Sequence, residues 1–204
     1  MFYRWAERQG YVVENPALDL DPVRRVRALP RPTPTDVVLE AFEVADRRTR
    51  LAIELSMYAG LRRNEVVQLR VSDVVGDQLF VQEGKGGRQR IVPIHPTLRE
   101  TLTAELSHRL EEGENSPWLF PSISSIHKGD HLTAHHLGKL VSQALGKGYT
   151  MHTLRHRFAS QAYAATRDLR AVQELLGHSK PETTAVYAAV PDGARTSAVA
   201  GVGL

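Results

Sequence analysis

The sequence of 204 residues has no cysteine, so it can build no disulfide, no zinc–thiolate site and no thiol nucleophile. That fits a reducing compartment without requiring one. No apolar run approaches membrane-spanning length, and the N-terminus lacks a secretory signal pattern. Internal repeats and low-complexity tracts are missing as well. Gly84-Lys85-Gly86-Gly87 lacks the two glycines five apart, followed by Lys and Ser or Thr, that make a nucleotide-binding loop. These absences point to a soluble intracellular protein.

What is present suits one domain with a fragment of a second. Hydrophobic residues make up 42% of the chain, enough for a real core. The formal net charge is +3, the sequence pI is about 9.3, and nine histidines add charge below neutral pH. The balance leans towards an acidic partner.

Phe2 to Gly10 reads as a short helix with a glycine stop, and its aromatics need something to pack on. Asn15 to Pro34 is linker-like, with prolines and the basic cluster Arg24, Arg25, Arg27 and Arg31. A phosphate backbone could lie along that cluster, and a solvated basic linker has the same composition. Thr33-Pro34-Thr35-Asp36 starts a helix. A second runs from about Thr49 to Tyr58, apolar on several faces and expected at the centre of the core. Gly60 ends it. Asn64 is the expected cap of a short helix, which leaves Arg62 in the turn at its mouth. Gln78–Glu83 and Arg88–Ile94 read as two strands of a hairpin with Lys85 at its tip.

His95-Pro96 opens a helix whose Leu98, Leu102, Leu106 and Leu110 form a core stripe. Thr133 caps a helix through Leu145 that carries His135, His136 and Lys139. With His127 and His131 nearby a metal site comes into question. No His-Glu-x-x-His occurs and no acids interleave, so hydrogen-bonding or phosphate-facing histidines are preferred. A helix follows from His152 to Ala165, with Arg155 close to one turn after His152, so both side chains can reach one point. Asp168 caps Leu169–Leu176, and Gly177 is its left-handed stop. Ser179 with Glu182 makes a capping box, with Pro181 inside the first turn. Tyr187 falls two turns into that helix.

In order, the candidate site residues are Arg62, Lys85, His152, Arg155, His178 and Tyr187. Gly60-Leu61-Arg62-x-x-Glu65, Gly84-Lys85-Gly86, His152-x-Leu154-Arg155-His156, Leu176-Gly177-His178 and Tyr187 together resemble the catalytic domain of the tyrosine recombinases, the phage-integrase family. Arg155 to His178 is 23 residues and His178 to Tyr187 nine, spacings typical of that family. The resemblance covers most of 33–190. Thr153 stands where Asp is common, and Arg157 where Ser or Thr is usual.

The resemblance implies a mainly α, α+β fold: a helical catalytic domain with a small antiparallel β-sheet at one side. Residues 1–32 would be the last helix of an N-terminal core-binding domain plus a basic linker, 33–190 the catalytic domain, and 191–204 a tail exchanged with a neighbouring subunit. The implied activity is site-specific DNA recombination through a 3′-phosphotyrosyl intermediate, with no metal, cofactor or ATP. Arg62 and Arg155 would neutralise the non-bridging phosphate oxygens and His178 would add a hydrogen bond. Tyr187 would be the nucleophile and Lys85 the general acid for the leaving 5′-hydroxyl. His152 would assist proton transfer at Tyr187 or hold a phosphate oxygen. Arg24, Arg25, Arg27, Arg31, Arg63, Arg88, Arg90, His135 and Lys139 are the expected DNA contacts. Implied partners are double-stranded DNA, a homotetramer on paired sites that is a monomer or weak oligomer without DNA, and accessory DNA-bending proteins, with no membrane. The implied location is the bacterial cytoplasm, on the nucleoid when bound, with the gene carried by a phage or mobile element. Type IB topoisomerase-like strand cleavage and religation, and a non-catalytic DNA-binding protein, are the alternatives.

Overall fold

The computed structural model describes residues 2–21, 30–82, 89–124, 128–178 and 183–184. Its centre is α3 (Arg47–Tyr58), which starts where the Asp46 carboxylate accepts the Thr49 N–H at 2.7 Å. Leu51, Ala52, Ile53 and Leu55 are fully buried. A buried Leu or Ile is worth roughly 1.5–3 kcal/mol, so this helix supplies the seat for its neighbours. Around it pack α5 (Pro96–Glu111), α6 (Ala134–Leu145) and α7 (Met151–Thr166), while α2 (Thr35–Val44) packs on α6. The expected core position of the second helix is therefore observed, as are the Thr133 cap, which accepts from the His136 N–H, and the helix through Leu145.

A three-stranded antiparallel sheet flanks the helices in the order β1 (Val74–Val75), β2 (Gln78–Gln82), β3 (Gln89–Pro93). Leu79 pairs with Val92 and Val81 with Arg90. Leu79, Val81 and Val92 are buried while Ile91 is exposed, the two-residue alternation of a sheet with one covered face. No described helix is long and apolar enough to cross a membrane. The mainly helical α+β class with a small antiparallel sheet is thus observed.

Two local expectations fail. Leu110 is 84% exposed, although Leu98 and Leu102 are buried. A strict four-residue spacing overshoots the helical repeat by about 40° per step, so Leu110 lies about 120° round from Leu98. Glu105 and Arg109 take the inward positions instead, Glu105 beside Arg47 and Arg109 donating to the Ser116 carbonyl. Asn64 is not a cap. The short α4 (Arg63–Val67) begins two residues earlier, with Arg62 at the cap position, because the Glu65 carboxylate reaches back to accept the Arg62 N–H at 2.7 Å.

At the N-terminal end, α1 (Phe2–Arg8) buries Ala6 but leaves Phe2, Trp5 and Tyr11 more than half exposed, tilted against one another at 5.9 and 5.5 Å. Thr33, fully enclosed, fastens the following chain to α7. Its N–H donates to the Thr153 carbonyl at 3.2 Å and its hydroxyl lies 2.7 Å from that of Thr153. Arg157 adds bonds to the Thr33 carbonyl and the Thr35 hydroxyl. The two positions that depart from the family pattern, 153 and 157, thus act on one clasp.

Candidate active site

The site grows from two helix ends that meet on one guanidinium. α3 stops at Gly60, where φ is +63° and any Cβ would lie 2.5 Å from the Phe158 ring, so only glycine fits. α8 (Leu169–Leu176) starts on the Asp168 carboxylate and stops at Gly177, in the left-handed region with φ 63° and ψ 43°. Both ends leave carbonyls without helical partners. Arg155, on α7, fills that need: its Nη1 donates to the Gly60 carbonyl at 2.5 Å and its Nη2 to Leu176 at 2.6 Å. The same Nη2 lies 3.0 Å from His178 Nε2. Arg155 is 3% exposed, so its charge is held where water screens little.

Glu65 stands at the centre. It accepts a fork of bonds from Arg90, at 2.9 and 2.8 Å. It also accepts from the Arg62 guanidinium at 2.7 Å, and Arg155 Nη1 lies 3.7 Å away. Burial pushes the Glu65 carboxyl up, but the hydrogen bonds and charge of Arg90, the Arg62 N–H and the Arg155 charge outweigh it and hold its pKa below the ordinary value. Three guanidiniums therefore share one carboxylate. Arg62 also donates to the Gly177 carbonyl, yet 41% of its side chain faces solvent, the open edge of the group.

His178 is the neutral member. Burial, then the charges of Arg155, Arg62 and Arg90, lower its pKa to about 4 against a smaller opposing pull from Glu65. Burial followed by Arg155 and Arg62 also lowers His152. His152 meets His156 edge-on at 4.3 Å, and His156 falls to about 4 through burial, His152 and Arg155.

Four of the six expected site residues are thus brought together: Arg62, Arg155 and His178 by hydrogen bonds around two shared carbonyl turns, His152 within reach of the same charges. Lys85 and Tyr187 lie outside the described residues, as do Arg24, Arg25, Arg27, Arg88, His127 and the capping residues Ser179, Pro181 and Glu182. Of the expected DNA contacts, Arg63, His135 and Lys139 form one exposed basic edge. The Arg63 side chain lies against Gly138 of α6, where a Cβ would come within 2.7 Å of its Cδ. Arg31 is exposed but pinned over the Tyr149 ring at 4.5 Å, donating to the Lys147 carbonyl. Arg90 does not fit a DNA-contact role. Its side chain is 9% exposed and spent on Glu65 and the Leu175 carbonyl. It shares the inward parity of Val92 on β3, a signal the sequence carried. Two residues were passed over in choosing the site. Glu65 was visible three residues after Arg62, and Thr184 lies 2.9 Å from His178 Nδ1. Among the described residues no three His, Asp or Glu side chains gather as a metal-ligand set.

Known proteins match this chain throughout. It is 35% identical over 197 residues to tyrosine recombinase XerC of Chromobacterium violaceum, covering 93% of this chain and 66% of that one. To tyrosine recombinase XerD of Rhizobium meliloti it is 33% identical over 203 residues, covering 91% and 65%. The chain therefore spans slightly under two thirds of these relatives' own length. Among solved structures, XerH site-specific recombinase bound to its difH substrate superposes with a TM-score of 0.70 at 25% identity, over 88% of this chain and 56% of that one. XerA recombinase gives 0.68 at 27% identity, over 90% and 70%. The sequence model of the phage integrase family matches residues 33–193, and this chain belongs to that family.

Proposed function

We propose that the chain is the catalytic part of a site-specific DNA recombinase that cuts and rejoins strands through a phosphotyrosyl link. The reading is supported above all by the concentration of positive charge: three guanidiniums gather around one carboxylate, beside a neutral imidazole, a setting suited to an anion. A phosphodiester in its trigonal-bipyramidal transition state is such an anion.

In this reading Tyr187 Oη attacks the phosphorus and the bond to the 5′-oxygen breaks. The leaving oxygen takes its proton from Lys85 Nζ. Arg62, from the open edge, and Arg155 donate to the non-bridging oxygens, with His178 as a third donor. His152 accepts the phenol proton or holds an oxygen. The covalent link conserves the energy of the phosphodiester, so attack by a partner 5′-hydroxyl reverses the step without ATP. Arg63, His135 and Lys139 lie along the duplex. Residues 1–32 belong with a DNA-clasping N-terminal unit, residues 191–204 pass to a neighbour, and four copies act on paired sites in the bacterial cytoplasm.

The test is a suicide substrate nicked beside the scissile phosphate. The expected result is a denaturant-resistant DNA–protein adduct that disappears in Tyr187→Phe. An adduct that persists in that variant overturns the assignment, and no adduct with the unaltered chain overturns the function. Relaxation of supercoiled DNA without strand exchange would move it to the topoisomerase class.

A further inference from the structure

Arg155 has no acceptor atom, so at 3.0 Å its Nη2 must donate to His178 Nε2. The ring is neutral in this setting, which places its one hydrogen on Nδ1. Nδ1 faces the Thr184 hydroxyl at 2.9 Å, and Thr184 is 1% exposed. Thr184 Oγ1 is therefore an acceptor here. The backbone of His178 is fixed separately: its N–H donates to the Gln173 carbonyl, and its carbonyl accepts from the Gln173 side chain. Among the described residues the ring itself is held by two contacts, Arg155 at Nε2 and Thr184 at Nδ1.

We propose that Thr184 is a positioning residue that acts through His178, holding the Nε2 edge of the ring against Arg155, where the phosphate of the proposed reaction would enter. The inference rests on that function for its consequence, though not for its geometry. A phosphate oxygen entering between Arg155 and His178 needs a hydrogen on Nε2. A hydroxyl is suited to this change because it both accepts and donates. It accepts from Nδ1–H in the free site and turns to donate to Nδ1 once the hydrogen moves to Nε2. If solvent instead supplies a second proton to the ring, the hydroxyl stays an acceptor. The charged groups facing the ring are Arg155 from α7, Arg62 and Glu65 at the mouth of and within α4, and Arg90 from β3. Their net positive sign opposes that second proton until a phosphate enters.

The direct test is nitrogen-15 NMR of His178 in the DNA-free chain at pH 7. A protonated Nδ1 and an unprotonated Nε2 are expected. Thr184→Ser should keep that pattern, whereas Thr184→Val should free the ring to turn off Arg155, giving mixed tautomers. His156 resonances should stay unchanged in both, which reports an intact fold. On the suicide substrate, Thr184→Val should lower the single-turnover rate by about tenfold, the worth of one buried hydrogen bond, with Thr184→Ser close to the parent. A protonated Nε2 in the free parent chain, or Thr184→Val with both tautomer and rate retained, would overturn the proposal. Should the parent chain form no adduct, the proposed function fails while the tautomer measurement still decides this inference.

Discussion

Replacing Glu65 by glutamine keeps the shape of the side chain and removes the one negative charge that three guanidiniums share. Arg90 loses half of a two-oxygen fork at 2.9 and 2.8 Å, and Arg62 loses a charge-assisted bond at 2.7 Å. The side chains of Arg90 and Arg155 are only 9% and 4% exposed, so water cannot take over. Breaking a buried pair in this way costs about 3–5 kcal/mol. The amide retains one acceptor oxygen, which places the expected loss near the lower end, about 3 kcal/mol at pH 7. Equilibrium urea unfolding reads it as a lower midpoint at unchanged slope. The pH dependence gives a second check. The folded carboxyl titrates below its ordinary value of 4.5, so its stabilisation is complete above that pH and fades as the pH falls through the folded value. Parent and Glu65→Gln stabilities should therefore converge in acid. A loss under about 1 kcal/mol at pH 7, or a gap that does not narrow in acid, would refute the claim that this carboxylate holds the cluster.

Other consequences follow from contacts described above. His156 and His178 titrate near 4 in the folded chain against 6.5 ordinarily, so the unfolded chain binds protons first and stability should fall as the pH drops from 6.5 to 4. NMR titration checks this, and a midpoint near 6.5 for either ring contradicts it. Arg157→Ser removes the bonds to Thr33 and Thr35 and should speed amide exchange at Thr33, whose N–H the clasp protects; unchanged exchange would contradict the clasp. Gly138→Ala drives a methyl into the Arg63 side chain and should weaken duplex binding, lowering the salt slope by about one if Arg63 neutralises a phosphate. Equal affinity and slope in the parent would place Arg63 off the DNA.

Much of this architecture was legible because its signals are local. Thr133 and Asp168 accept the first amides of α6 and α8 as side-chain caps do anywhere, and Gly60 and Gly177 end helices in the backbone region that glycine tolerates, whereas α3 starts on Asp46, ahead of the expected start near Thr49. The gathering of Arg62, Arg155 and His178 was readable only through a family pattern, since nothing in a single chain says that residues 62 and 178 share a carbonyl turn. Arginine reads as surface until its partner is known, and Arg90 found that partner in Glu65, 25 positions away. The same holds for Arg109 and Glu105, which displaced Leu110 from the core. Thr184 belongs to none of the motifs in the sequence, and the distance to His178 Nδ1 is what gives it a role.

The central claim is that guanidinium charge stands in for a metal at one phosphate. Arg62 tests it best, because its side chain is the open one and its removal leaves the buried Arg155–Gly60–Leu176 bonds in place. Single-turnover cleavage by Arg62→Ala should be compared on a normal scissile phosphate and on an uncharged methylphosphonate at the same position. The account predicts a loss of about a hundredfold on the phosphate and little loss on the methylphosphonate, which has no charge to neutralise. Equal losses on both would contradict it.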